Sequence, residues 1–253
     1  MKSKNMFKGI IAILVGVVVI SAGLIVVSLA EKAQASPATV SINARITADN
    51  DYALYYGTEN GSSITFVGRS NINDTWTSAE NWSFNMKKED YIYVATWSDN
   101  AVAQGLLGQF VTNSGPNILT NTNWQVYLTN DDKGNGSFEP TTSEMSNKIA
   151  GAVWSPVSDY IDHGGAPWGT VTGIDLAADW IWGSSLLPGS GFGEYQIFRI
   201  RADGKVVICH IPPGNPSNAQ TITVSAAAVS AHLSHGDTLG ACPLGEANHG
   251  GRR

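Results

Sequence analysis

Apolar and polar residues alternate at period two along Thr39-Val40-Ser41-Ile42-Asn43-Ala44-Arg45-Ile46, the pattern of a strand with one buried face. Residues 52–56 (Tyr-Ala-Leu-Tyr-Tyr) and 63–67 (Ser-Ile-Thr-Phe-Val) predict two more strands, with the turn supplied between Gly57 and Gly61. Tyr91–Trp97 is almost wholly β-branched and aromatic and gives the clearest strand. Residues 124–128 and 196–200 read the same way. Met145, Ile149 and Val153 recur every fourth residue, which predicts a single helix over 142–153. A turn is expected near Leu176-Ala177-Ala178. Short strands broken by Gly and Asn turns predict an all-β fold, an antiparallel β-sandwich over about 38–203.

The two ends depart from this pattern. Lys2, Lys4 and Lys8 precede an uncharged run from Gly9 to Ala30, and Ala33-Gln34-Ala35 then offers a small-x-small cleavage site. Residues 1–35 therefore read as a secretory signal peptide cut after Ala35, or as an uncleaved hydrophobic anchor helix. About 20 apolar residues at 1.5 Å each suffice to span a bilayer. Either reading exports the bulk of the chain, to the medium or the cell surface, with membrane contact only through this segment. Residues 244–253 are small and polar, the composition of a frayed tail.

Composition sharpens the division. All eight tryptophans lie between Trp76 and Trp182, whereas four of the five histidines follow residue 209. A small Cys/His-rich module is thus expected over 205–243. Charged residues make up only 14% of the chain and the formal charge is −6, with no Lys/Arg cluster, which excludes nucleic acid as a partner. Loss of residues 1–35 removes four lysines and one glutamate and takes the charge to −9. Cys209 and Cys242 are the only cysteines, and an oxidising compartment favours joining them.

Two stretches carry resemblances. Thr47-Ala48-Asp49-Asn50-Asp51-Tyr52-Ala53-Leu54-Tyr55-Tyr56-Gly57, the Tyr91–Asp99 run, Gln104–Phe110, Pro167-Trp168-Gly169 and Trp180-Ile181-Trp182 together resemble a domain of exported, surface-attached bacterial proteins. That resemblance implies export and a β-rich fold, and no particular reaction. Val207-Ile208-Cys209-His210-Ile211-Pro212-Pro213-Gly214-Asn215-Pro216, continuing to Cys242, is similar to a short module of secreted bacterial proteins. Its Cys-His, His-x-x-His and terminal Cys are all present.

The module holds the sharpest chemistry. His232 and His235 are three apart, which on a helical turn sets both rings on one face, and the alanine-rich run 225–231 supports a short helix there. A Cys209–Cys242 bridge brings His210 towards that helix end. Three converging imidazoles suit Zn²⁺ or Cu²⁺, with Asp237 orienting His235 or completing the coordination. Reduced cysteines with two histidines form a rival Cys₂His₂ site. The bland alternative has the rings bonding backbone groups around the bridge. Haem attachment needs Cys-x-x-Cys-His, which is missing.

Elsewhere the signals are weaker. The loop 130–139 is rich in oxygen ligands, but with Asp131 leading, Lys133 falls where an EF-hand needs its next oxygen. A calcium reading there, or at Asp49, Asn50, Asp51 and Asp99, competes with a solvated turn. His163, alone in its loop, reads as structural. Trp168, Trp180 and Trp182 lie near Gly-rich turns, where exposed rings could stack on sugars; the alternative is burial in the sandwich. Asp162, Asp175, Asp179 and Glu194 could supply a glycosidase carboxylate pair. No nucleophile elbow, phosphate-binding loop or His-Glu-x-x-His occurs, so an enzyme is not expected. The expectation is an exported structural or adhesive surface protein with a metal-binding C-terminal module. Its partners are then cell-surface or matrix components, glycans or copies of itself. The alternative is a secreted carbohydrate-binding protein.

Overall fold

The computed structural model describes residues 18–20, 23–25, 38–71, 76–99, 101–134, 136–187 and 194–243. Within the first 36 residues, Val18–Ile20 (β1) pairs antiparallel with Gly23–Ile25 (β2). The expected hydrophobic helix is not seen at these six positions. The remainder of that segment, with its Ala33-Gln34-Ala35 site, lies outside the described residues. So do Asn135 of the oxygen-rich loop and the tail 244–253 with His249.

From residue 38 the chain runs β3 (Thr39–Asp49), β4 (Asp51–Gly57), β5 (Ile64–Arg69), β6 (Glu80–Lys87), β7 (Tyr91–Trp97), β8 (Gly105–Thr112), β9 (Ile118–Leu119) and β10 (Gln125–Asp132). Helix α1 (Thr142–Ala150) follows, then β11 (Ser155–Pro156), β12 (Asp159–Asp162), β13 (Asp179–Trp182) and β14 (Glu194–Arg201). The module adds β15 (Lys205–His210), β16 (Gln220–Ser225), α2 (Val229–Ser234) and β17 (Thr238–Leu239).

Two six-stranded antiparallel sheets form the expected sandwich. One has the order β11-β10-β14-β7-β4-β5; the other runs β12-β13-β8-β3-β6, with β9 also paired to β8. Between them lies a core that includes Ile42, Ala44 and Ile46 of β3, Leu54 of β4, Val94 of β7, Leu106 of β8 and Phe198 of β14. The sheets differ in what covers their outer faces. Strand β3 alternates buried with more exposed residues along most of its length and β6 half-buried with exposed ones, so the second sheet keeps one wet face. Strand β7 is buried at every residue, because its outer face carries a second core of Tyr91, Tyr93, Ala95 and Trp97 beneath α1.

Helix α1 starts where sequence chemistry requires. Thr141 caps it: its hydroxyl accepts the Glu144 N–H at 3.2 Å, while the Glu144 carboxylate accepts the Thr141 N–H at 2.6 Å. Met145 and Ile149 face the sheet. The expected third member of that stripe, Val153, falls past the C-cap at Gly151 and is 80% exposed. The helix is thus one turn shorter than the four-residue period suggested, because Gly151 ends it first.

The module is thin by comparison. Its sheet has the order β16-β15-β17, and only Val206, Val207, Ile208 and Cys209 of it are buried apolar residues. Cys209 is bonded to Cys242, as the isolated pair of cysteines implied, and no free cysteine is present.

Candidate metal centre

Strand β15 ends at His210, directly after the bridged Cys209, so its position is fixed by the β15–β16 ladder and by the disulfide. The second imidazole comes from α2, whose last turn holds His232. The path out of α2 decides the third ligand. Gly236 has φ +95°, donates its N–H to Leu233 O at 3.1 Å, and is followed by Asp237, whose N–H reaches His232 O at 3.2 Å. These two bonds define a Schellman turn with Gly236 in the left-handed position that a side chain disfavours. The turn folds Asp237 back over His232.

The result is a compact cluster. Asp237 Oδ2 lies 2.9 Å from His210 Nδ1 and 2.7 Å from His232 Nδ1, while Oδ1 accepts the Ile211 N–H at 2.8 Å. The carboxylate is fully buried, whereas the imidazoles keep 37% and 26% of their side-chain surface. Their rings stand edge to face with centroids 5.8 Å apart. The hydrogen bond from His210, then that from the Ile211 N–H, hold the Asp237 carboxyl well below the usual carboxylate range. It is a permanent anion at neutral pH.

One ligand atom from each of His210, His232 and Asp237 lies within 4.8 Å of the other two. Among the described residues this is the one group of three His, Cys, Asp or Glu side chains so arranged. Two imidazoles and a carboxylate suit Zn²⁺ or Cu²⁺ and leave further positions to water. Ligands at 2.0–2.1 Å on a tetrahedral ion stand about 3.3 Å apart. An ion held here would take Nδ1 of His210 and of His232 and one oxygen of Asp237. Each ring nitrogen that now bonds Asp237 would then have to give up its proton to act as a ligand.

His235, expected as the third imidazole, does not join the cluster. It is the C-cap of α2 and is exposed, while the His232 ring turns to the Asp237 carboxylate. Asp237 takes the place the spacing assigned to it. Gly236 was the available signal: a glycine just past a short helix turns the next residue back onto the last turn.

The other expected sites resolve into structure. Trp168, Trp180 and Trp182 are 3%, 0% and 0% exposed, so none offers a free face to a sugar. Trp168 stacks on Trp180 with centroids 4.5 Å apart and donates its indole N–H to Asp49 Oδ2 at 2.8 Å. The rings fill the sandwich instead. His163 is likewise satisfied: Nε2 accepts the Val171 N–H at 2.8 Å, which leaves Nδ1 to donate to Asp175 O at 3.0 Å. In the oxygen-rich loop Asp131 pairs with Lys148, and Lys133 sits over the rings of Trp97 and Tyr195. Asp51 accepts from Ser70 and Gly136, and Asn50 accepts the Asp99 N–H, so these oxygens brace loops. Asp162 and Asp179 face each other across the β12–β13 ladder, Asp175 accepts the Ala177 N–H, and the Glu194 side chain lies outside the described residues. Comparison with protein-family models, curated proteins and solved structures found no match to this chain.

Proposed function

We propose that this chain is an exported structural or adhesive surface protein whose C-terminal module holds one Zn²⁺ or Cu²⁺ on His210, His232 and Asp237. The observation that carries the metal assignment is the convergence of two imidazole nitrogens on one buried carboxylate oxygen. Export is supported by the lysine-led apolar segment with its Ala33-Gln34-Ala35 site and by a disulfide that leaves no free thiol. The two sequence resemblances point the same way. The ion is assigned a structural part: it ties the end of β15 to α2 in a module with little apolar core. No catalysis is assigned to the chain, and the burial of the three tryptophans leaves the sugar-binding alternative without a platform.

The same geometry without an ion is a hydrogen-bonded clasp, and calorimetry separates the two. Zn²⁺ and Cu²⁺ are titrated into the chain purified without a histidine tag, and into His232→Ala and Asp237→Asn. The proposal expects a single site whose affinity falls at least about tenfold in either variant, the range typical of a disturbed metal site. Equal binding by all three proteins leaves the clasp as the correct reading. N-terminal sequencing of the exported chain tests the other half, with Ser36 expected first.

A further inference from the structure

Five strands other than β16 end the strand orders of the sandwich and module sheets, and each is blunted. Strand β5 ends in Arg69, pairs β4 through a bulge at Leu54/Tyr55 and has α1 against it. Strand β6 carries Glu80 and Lys87, and β12 begins and ends with Asp. Strands β11 and β17 have two residues each, one of them Pro156 in β11. Such devices stop chains from pairing edge to edge. Strand β16, Gln-Thr-Ile-Thr-Val-Ser, has none: six residues, no charge, no proline and an unbroken register with β15.

The direction of its free hydrogen-bonding groups follows from the ladder. Val207 O accepts the Gly240 N–H on the β17 side, so the Val207 backbone faces away from β16. In an antiparallel pair its partner Thr223 must then turn both N–H and C=O outward, and so must Thr221 and Ser225. The Ser225 C=O opens the 3-10 turn over Ala226–Ala228; among the described residues, no turn or loop backbone bond takes up the other outward groups. The Thr221 hydroxyl holds the Cys242 N–H, but it does so over the sheet and away from this rim.

We propose that β16 is a self-association edge, pairing antiparallel with β16 of a second copy about a two-fold axis at Thr223. The strand is its own complement in that register. Thr223 meets Thr223, Thr221 meets Ser225, and the half-buried Ile222 meets Val224, so hydroxyls face hydroxyls and aliphatic groups face aliphatic groups. Thr221 and Thr223 of each copy exchange N–H···O bonds across the axis, the Ser225 C=O accepts through its second lone pair, and two three-stranded sheets become one of six strands. Charge selects a second copy as the occupant. The chain carries −6 overall, but Lys205 and Asp237 are the only Lys, Arg, Asp or Glu residues from 205 to 243. Two acidic molecules therefore meet with least repulsion through this neutral module.

Sedimentation equilibrium of the purified chain, in EDTA and from about 10 μM to about 1 mM, tests the proposal. A monomer–dimer equilibrium is expected. Thr223→Pro deletes an outward N–H that the fold does not use, and proline is tolerated at a strand edge. It should weaken association at least about tenfold, while Thr223→Val, which keeps the N–H, should not. In the unaltered chain the amides of Thr221, Thr223 and Ser225 should exchange more slowly as concentration rises, a readout independent of how Thr223→Pro folds. A monomer at every concentration overturns the proposal. So does a dimer in which these three amides stay unprotected, or one that forms only when metal replaces EDTA.

Discussion

The sandwich and the C-terminal module solve the same problem of holding strands together by different means. The sandwich buries Trp97, Trp124, Trp180 and Trp182 completely and covers one of its sheets on both faces. The module has four buried apolar residues and relies on a disulfide, a left-handed glycine and a carboxylate shared by two histidines. Apolar burial is proportional to area and indifferent to redox state or metal supply. The module's supports answer to both. A small unit joined to a large core can thus be conditional while the core is not.

The largest effect that separates the regions is expected in the sandwich. Trp180→Ala removes a fully buried ring that stacks on Trp168, a truncation that costs about 3–5 kcal/mol. Denaturant unfolding followed by near-UV circular dichroism should show it, whereas Zn²⁺ affinity measured below the transition should not change. A parallel loss of metal binding would mean that the two regions are one cooperative unit.

Opening the bridge is the converse. The Cys209→Ser/Cys242→Ser double variant frees a loop spanning a sequence separation of 33, which the chain-entropy model values at about 3–4 kcal/mol. Amides of β15 and β17 should lose protection from hydrogen exchange, while those of β7 should keep theirs. Loss of protection in β7 would break the comparison.

These two expectations show what the sequence disclosed. Period-two alternation marked β3, and the β-branched aromatic run marked β7 at its observed bounds, because burial imposes those patterns directly. Strands β6 and β8 went unread. Glu80–Lys87 mixes Asn, Ser and Lys among its apolar residues, and Gly105–Thr112 carries two glycines, so neither advertises a strand on propensity. Gly105 is there for packing: a Cβ would meet the Trp180 ring at 2.8 Å. The tryptophans near glycine turns suggested exposure for the same reason. The glycines mark where rings press on backbone. In the module the residue types of the cluster were legible, but the choice of Asp237 over His235 depends on the direction of one turn.

Acidity sharpens the comparison further, because the two regions should respond with opposite sign. Burial pushes the Asp49 carboxyl up to about 6, with the Trp168 N–H opposing and Asp99 reinforcing. Between about pH 4 and pH 6 the unfolded chain has already released this proton and the folded chain has not. Asp49 therefore stabilises the sandwich at low pH, and that contribution declines as pH rises, by at most about 3 kcal/mol. Asp237 runs the other way. Its folded value is depressed, so its contribution is present above the ordinary carboxylate value of 3.8 and is lost as pH falls below it. Denaturation midpoints measured from about pH 4 to about pH 7 should show a slope that Asp49→Asn reduces, the remainder belonging to Asp90 and Asp179, which burial also raises. An unchanged slope in that variant would place the titrating group elsewhere.

The smallest expected effect is the most discriminating for the metal centre. His235 lies three residues from His232, the separation that puts two rings together on a continuing helix. Here α2 ends at Ser234, and Gly236 at φ +95° carries the chain back across the helix end. That reversal delivers Asp237 to His232 and leaves His235 on the solvent side. His235→Ala should therefore change Zn²⁺ affinity and module stability by no more than about 0.5 kcal/mol, the range of surface substitutions. Gly236→Ala, which leaves all four side chains in place, should weaken binding more, since alanine resists the left-handed conformation on which the Asp237 position depends. If calorimetry gave the reverse order, the ion would be held by the His-x-x-His pair on an extended helix. The Schellman turn would then be a feature of the empty module alone, and metal binding would have to rebuild it.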